Sequence, residues 1–194
     1  MKLIVGLGNE GGRYEGTRHN VGMEAVRQLA RRHRVAWACR RPRSVYGDWH
    51  APQGLIRLMC PLTMMNASGE AFTAAADWRV APTDILILCD DVNLPLGRLR
   101  LRPGGSDGGH HGLASCLEAL GTHEVPRLRL GVGCEPLPTD LTEFVLSPFT
   151  VEEQRLIDQA VKRATEACEV WAREGMPVAM NRVNVRNKGV RGEP

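Results

Sequence analysis

Aromatic side chains are scarce: nine among 194 residues, as two Tyr, three Phe and four Trp. With no apolar stripe on display either, nothing offers itself as a permanent partner face, and a monomer is expected. No apolar run approaches membrane-spanning length, which sets a membrane role aside. The first apolar run, Leu3-Ile4-Val5, follows Met1 after a single lysine, leaving no room for a cleavable signal, so a cytoplasmic location is expected. The six cysteines show no Cys-x-x-Cys and no regular spacing. That points to buried thiols in a reducing compartment, and a chain this large and core-rich does not need a disulfide framework. Bulk charge of one sign is missing too, since the formal net charge is only +3.

What is present is an ordinary globular composition, 43% hydrophobic and 24% charged, long enough for one sheet covered on both faces. The arginines are clustered rather than numerous. Arg31, Arg32, Arg34, Arg40, Arg41 and Arg43 crowd one region, and Arg98, Arg100 and Arg102 alternate with leucine. Arg182, Arg186, Lys188 and Arg191 lie near the C-terminus. Such clusters suit phosphate or nucleic acid, although a solvated charged face accounts for any one of them equally well.

Strand and helix patterns interleave. Residues 20–33 carry Val21, Ala25, Val26, Leu29 and Ala30 at helical spacing, with Asn20 placed to cap them. Residues 45–50 and 54–60 read as strands meeting at Pro52-Gln53-Gly54, and Ser68–Trp78 as a helix closed by Pro82. Ile85–Leu88 is a buried strand ending at Cys89-Asp90-Asp91, and Arg98–Arg102 and Arg127–Leu130 alternate as half-exposed strands. His110–Leu120 is helical. A long helix follows from Val151 to Glu174, opened by Thr150 and Glu153 at capping-box spacing and ended by Gly175. The reading is an α/β fold: a twisted mixed sheet flanked by helices in three layers, one domain over residues 1–182. A basic tail, 183–194, is expected to be mobile.

The densest signal is Gly6-Leu7-Gly8-Asn9-Glu10-Gly11 through Thr17-Arg18-His19-Asn20-Val21-Gly22, directly after the first strand. Gly6-x-Gly8-x-x-Gly11 matches the dinucleotide fingerprint, which needs a helix to start at once and an acid about 20 residues on. Helical spacing begins only after Asn20, and Arg31–Arg43 holds no acid. An NAD(P)-dependent oxidoreductase is thereby demoted, though arginines could serve an NADP-like site.

Other polar segments follow predicted strands: Pro61–Ser68 with Asn66, Asp90-Asp91, and Gly104–Gly112 before a helix. Parallel strands would bring them to one sheet edge. A histidine with a carboxylate partner and nearby amides is a general-base site that activates water. His110 and His111 with Asp107 suggest metal ligands at first sight, but adjacent helix positions diverge by about 100°, so no metal site is expected.

These motifs resemble the bacterial peptidyl-tRNA hydrolase family. Gly-Leu-Gly-Asn at 6–9, Tyr14, Thr-Arg-His-Asn-x-Gly at 17–22, Pro-x-Thr-x-Met-Asn-x-Ser-Gly at 61–69, Asp90-Asp91 with Leu94-Pro95-x-Gly97, and Gly-Gly-His-x-Gly at 108–112 match in order and spacing. Pro126–Gly133 and Phe144-Val145-Leu146 match as well. The resemblance implies hydrolysis of the ester joining a peptide to tRNA, without metal or cofactor. It implies that His19 is the general base, Asp90 its supporting carboxylate, and Asn9 the discriminator of blocked from free amino groups. Tyr14, Met64, Asn66 and His111 are implied to contact the tRNA end or the peptide. Asp90 and Asp91 are told apart by family position alone.

Three positions depart from the family pattern: Glu10 for proline, Asn93 for aspartate, and His111 for the asparagine of Gly-Gly-His-Asn-Gly. Histidine divides donor and acceptor between two ring nitrogens and gains charge in acid, so weaker activity than the asparagine form is expected. That departure keeps open an RNA-binding relative that has lost hydrolysis.

Overall fold

The structure, a computed structural model, describes residues 1–185 apart from 38 and 42. Seven strands form one mixed sheet: β1 (Lys2–Gly6), β2 (Cys39–Arg41), β3 (Ser44–Ala51), β4 (Gly54–Pro61), β5 (Ile85–Pro95), β6 (Leu99–Arg102) and β7 (Arg127–Gly133). Their order is β2-β3-β4-β1-β5-β7-β6. β4, β1, β5 and β7 run parallel, while β2, β3 and β6 are antiparallel to their neighbours. The helices are α1 (Val21–Arg32), α2 (Glu70–Ala74), α3 (His111–Leu120), α4 (Leu141–Leu146), α5 (Val151–Glu174) and α6 (Met176–Val185).

Each face of the sheet has its own core, giving the expected three layers. One gathers Ile4, Leu86 and Leu128 with Val26 and Leu29 of α1 and Trp171 of α5. The other packs Val5 and Ile87 against Phe72 of α2 and Leu113 and Leu117 of α3. α5 buries the face its spacing predicts, Ile157, Ala160, Val161, Ala164, Cys168 and Trp171, and both capping-box bonds form at Thr150 and Glu153. α1 lies so close to the sheet that a Cβ on Gly22 would sit 2.3 Å from the Leu88 carbonyl oxygen. Only glycine permits that approach, and it places the residues just ahead of α1 beside β5.

The sequence reading needs two corrections. The helix expected over Ser68–Trp78 is only five residues long, between tighter 3-10 turns at Met65–Ala67 and Ala76–Trp78. Thr73, Asp77 and Trp78 are weak helix formers, and Arg79 then takes a left-handed backbone. Helix α1 begins at Val21, where its apolar spacing put it, so no helix N-terminus meets the Gly6–Gly11 turn as a dinucleotide site requires. The domain boundary expected at 182 falls inside α6. There Val183 is buried, and the Asn184 side chain bonds both backbone groups of Leu101 on the edge strand β6. Pairing an edge residue this way substitutes for a neighbouring strand. The rest of the expected tail lies outside the described residues.

This topology fixes the site. β1 lies between β4 and β5; the chain builds β2, β3 and β4 on one side of it before crossing to β5 on the other, and open α/β sheets place ligands outside the strand ends at such a reversal.

Candidate active site

The loop after β1 is locked by two asparagines. The Asn9 backbone N–H donates to Asn20 Oδ1 at 2.8 Å, and Asn20 Nδ2 donates back to the Asn9 carbonyl at 3.1 Å. Asn20 is thus a clip across the loop, and its side chain does not cap α1. From the turn after β4, the Met65 N–H donates to Asn9 Oδ1 at 2.7 Å. A backbone donor on that oxygen settles which end of the amide is which: the Asn9 NH2 remains to face the cleft, as a donor.

Asp90, on β5, is buried with 2% exposure. Its Oδ1 receives His19 Nδ1 at 2.8 Å and His110 Nε2 at 2.9 Å. The two imidazoles stand 4.9 Å apart, tilted by 40°. His110 caps α3, its Nδ1 accepting the Leu113 N–H at 3.0 Å, so its Nε2 must carry the proton that goes to Asp90. Likewise His19 gives its Nδ1 proton to Asp90 and leaves Nε2 as a lone pair. Burial by itself would raise the Asp90 carboxyl. The positive N–H ends and hydrogen bonds of His110, and then of His19, outweigh it and hold the group well below the usual carboxylate range.

His110 is the residue that sequence reasoning missed. At the N-cap it has an extended backbone (φ −85°, ψ 106°), so its ring turns back toward the sheet while His111 starts the helix outside. The signal lay in the helix start. Placed one residue later, it makes His110 a cap whose side chain folds inward. His19, Asp90 and His110 also hold ligand atoms within 4.8 Å of one another, a spacing within reach of a metal ion. Asp107 is not part of that cluster; its carboxylate accepts the Gly109 N–H at 2.7 Å.

The neighbouring carboxylates are now distinguished by contact. Asp91 Oδ2 pairs with Arg129 at 3.0 Å and its Oδ1 takes the Asn93 N–H at 2.9 Å. Arg129 also donates to the Ser106 carbonyl, and Arg127 reaches the carbonyls of Gly105, Ser106, His123 and Val125. Together the two arginines hold the glycine-rich loop that leads into His110. Burial, then the charge of Arg129, pulls the Arg127 guanidinium below its ordinary value.

These groups open into a cleft of about 460 Å³ lined by Asn9, His19, Asp90, His110 and Arg129. Tyr14, Met64, Asn66 and His111 line it too, so the structure brings every sequence-singled residue to one site. Met64, which spacing alone would have put in the core, is 47% exposed; its neighbour Met65 is buried instead. Asn66 sits in the 3-10 turn with its side chain outward and caps no helix. Leu141, Thr142, Val145 and Leu146 of α4 line the cleft as well.

Comparison with known proteins agrees with this architecture. Residues 3–191 match the family model described as peptidyl-tRNA hydrolase. A peptidyl-tRNA hydrolase of Symbiobacterium thermophilum is 46% identical over 186 residues, covering 94% of this chain and 98% of that one. One from Gloeobacter violaceus is 42% identical, covering 100% and 99%. The crystal structure of peptidyl-tRNA hydrolase from Acinetobacter baumannii superposes with a TM-score of 0.87 at 34% identity, over 95% of this chain and 94% of that one. With the ordered motifs, the sheet and the cleft all in agreement, the chain belongs to the peptidyl-tRNA hydrolase family.

Proposed function

We propose that this protein hydrolyses the ester between a peptide and the 3′ ribose of tRNA, using His19 as general base. The observation that carries this is the 2.8 Å contact of His19 Nδ1 with a buried carboxylate, which takes the Nδ1 proton and leaves the Nε2 lone pair for the cleft. Nε2 takes a proton from water as the oxygen attacks the ester carbonyl. The tetrahedral intermediate then breaks its bond to the ribose oxygen, which leaves with that proton. Asp90 stabilises the imidazolium formed in between, as a carboxylate that stays ionised. His110 occupies the second site on Oδ1 and orients the carboxylate.

Asn9 supplies the choice of substrate. Its NH2 is a donor, which an N-acyl carbonyl can accept and a free α-ammonium, itself only a donor, cannot. Tyr14, Met64, Asn66 and His111 would border the ribose and peptide. The reaction as written uses no metal. An ion on His110 would have to displace the Nε2 proton while Nδ1 still accepts the Leu113 N–H, leaving an imidazolate. Every group required comes from one chain, consistent with a working monomer. A tRNA substrate supports a cytoplasmic location.

The phosphate-binding surface follows from pairing on the sheet. Arg31, Arg32 and Arg43 of the first arginine cluster are engaged by Glu24, Glu169 and Glu70. On β6, Arg100 faces Arg129 and Arg102 faces Arg127 directly across the ladder. Like charges so placed are unfavourable unless an anion joins them. Arg127 and Arg129 are drawn off by the loop and Asp91, whereas Arg100 and Arg102 are exposed beside the cleft. KM for N-acetyl-aminoacyl-tRNA is therefore expected to rise with salt, with a log–log slope of about 0.7–0.9 per phosphate engaged. Replacing Arg100 and Arg102 with glutamine should lower that slope by about one to two. A KM independent of salt contradicts the proposal.

A further inference from the structure

Arg18 precedes His19 in the chain, yet its side chain turns away from the cleft and is only 5% exposed. One guanidinium nitrogen donates to Ser147 Oγ at 2.8 Å and to the carbonyls of Ser147 and Pro148, at the end of α4. The other meets Glu153 Oε2 at 2.6 Å. The plane lies over Phe144 of α4 and Phe149 of the α4–α5 link, at 4.5 and 4.9 Å. The backbones meet here as well, Arg18 N–H donating to the Ser147 carbonyl at 3.2 Å and Thr17 bridging to Pro148. One arginine thus gathers the catalytic loop, the end of α4 and the start of α5.

Glu153 serves two masters. The Oε2 that receives Arg18 also accepts the Thr150 N–H at 2.7 Å, completing the capping box of α5. Burial by itself would raise this carboxyl, but the Thr150 backbone bond and Arg18 outweigh it and lower it. The Arg18 Nε is buried with no hydrogen-bond partner among the described residues, a cost accepted for where the other two nitrogens point.

We infer that the Arg18–Glu153 pair is a strut holding α4 as the wall against which the peptide end of the substrate rests. α4 presents Leu141, Val145 and Leu146 to the cleft, an apolar surface suited to peptide side chains, while the phosphate-binding arginines lie on β6. His19 has its own anchor in Asp90. Loosening the strut therefore weakens acyl binding and leaves the proton transfer in place. Arg18 and Glu153 are positioning residues, and their assignment rests on the hydrolase reading above.

Glu153→Gln keeps the cap and weakens the strut, because one glutamine carbonyl can still accept both the Thr150 N–H and Arg18 while the ion pair is gone. KM for N-acetyl-aminoacyl-tRNA is expected to rise about fivefold, with kcat within about twofold and the inhibition constant of deacylated tRNA unchanged. Arg18→Lys keeps the charge but not the fork, so it should give the same pattern. An unchanged KM in whichever of the two variants folds overturns the strut. So does a fall in kcat alone, or a parallel rise in the deacylated-tRNA constant. A wild-type protein without hydrolysis would instead count against the proposed function.

Discussion

Replacing His19 with alanine is expected to lower kcat on N-acetyl-aminoacyl-tRNA by about 10²–10⁴, with KM nearly unchanged. The side chain is the only group in the proposed mechanism that takes the proton from water. Its removal leaves Asn9 and the cleft walls, which bind and orient but transfer no proton. The Asn9–Asn20 clip and the Arg18 contacts do not involve the imidazole, so the loop should keep its shape. Single-turnover hydrolysis, with a thermal melt to verify folding, measures the effect. Near-full activity in the variant contradicts the mechanism.

Asp90→Asn is expected to cost a comparable factor, about 10²–10⁴ in kcat, for a different reason. The amide can still accept from the two imidazoles, but it cannot stabilise the charge His19 gains on taking its proton. The same substitution has a second readout in acid. The Asp90 carboxyl is held below its ordinary value, so the ionised form contributes stability fully above the ordinary carboxylate range. That contribution is lost as pH falls from about 4 toward the lower folded value. Melting of both proteins between pH 7 and pH 3 should show the wild type beginning to lose its Asp90-derived share below about pH 4, which Asp90→Asn lacks. A gap between the two melts that is constant across this range contradicts the assignment.

Much of this site was legible because the informative residues are local to strand ends. Apolar runs marked β1, β4 and β5, and the polar segments after them had to converge if those strands ran parallel. α5 was legible to the residue because its apolar spacing and its cap agree. What escaped depends on side-chain direction at turns. Asn20 carried an N-cap signature, but its amide found both backbone groups of Asn9 instead. His110 and His111 are adjacent and chemically alike; only the cap geometry at α3 sends one to Asp90 and the other to the rim. Asp90 and Asp91 were equally ambiguous until Arg129 claimed the second. The strut between Arg18 and Glu153 joins residues far apart in sequence, beyond the reach of any periodicity.

The proposed activity is that of an ester hydrolase that accepts only a blocked amino group, with Asn9 reading the block and His19 supplying the base. Its most direct measurement is the rate of tRNA release from N-acetyl-aminoacyl-tRNA against free aminoacyl-tRNA under identical conditions. The arrangement at Asn9 predicts rapid release from the acetylated substrate and a rate on the free form close to the uncatalysed background. Equal hydrolysis of both, or of neither, would contradict it.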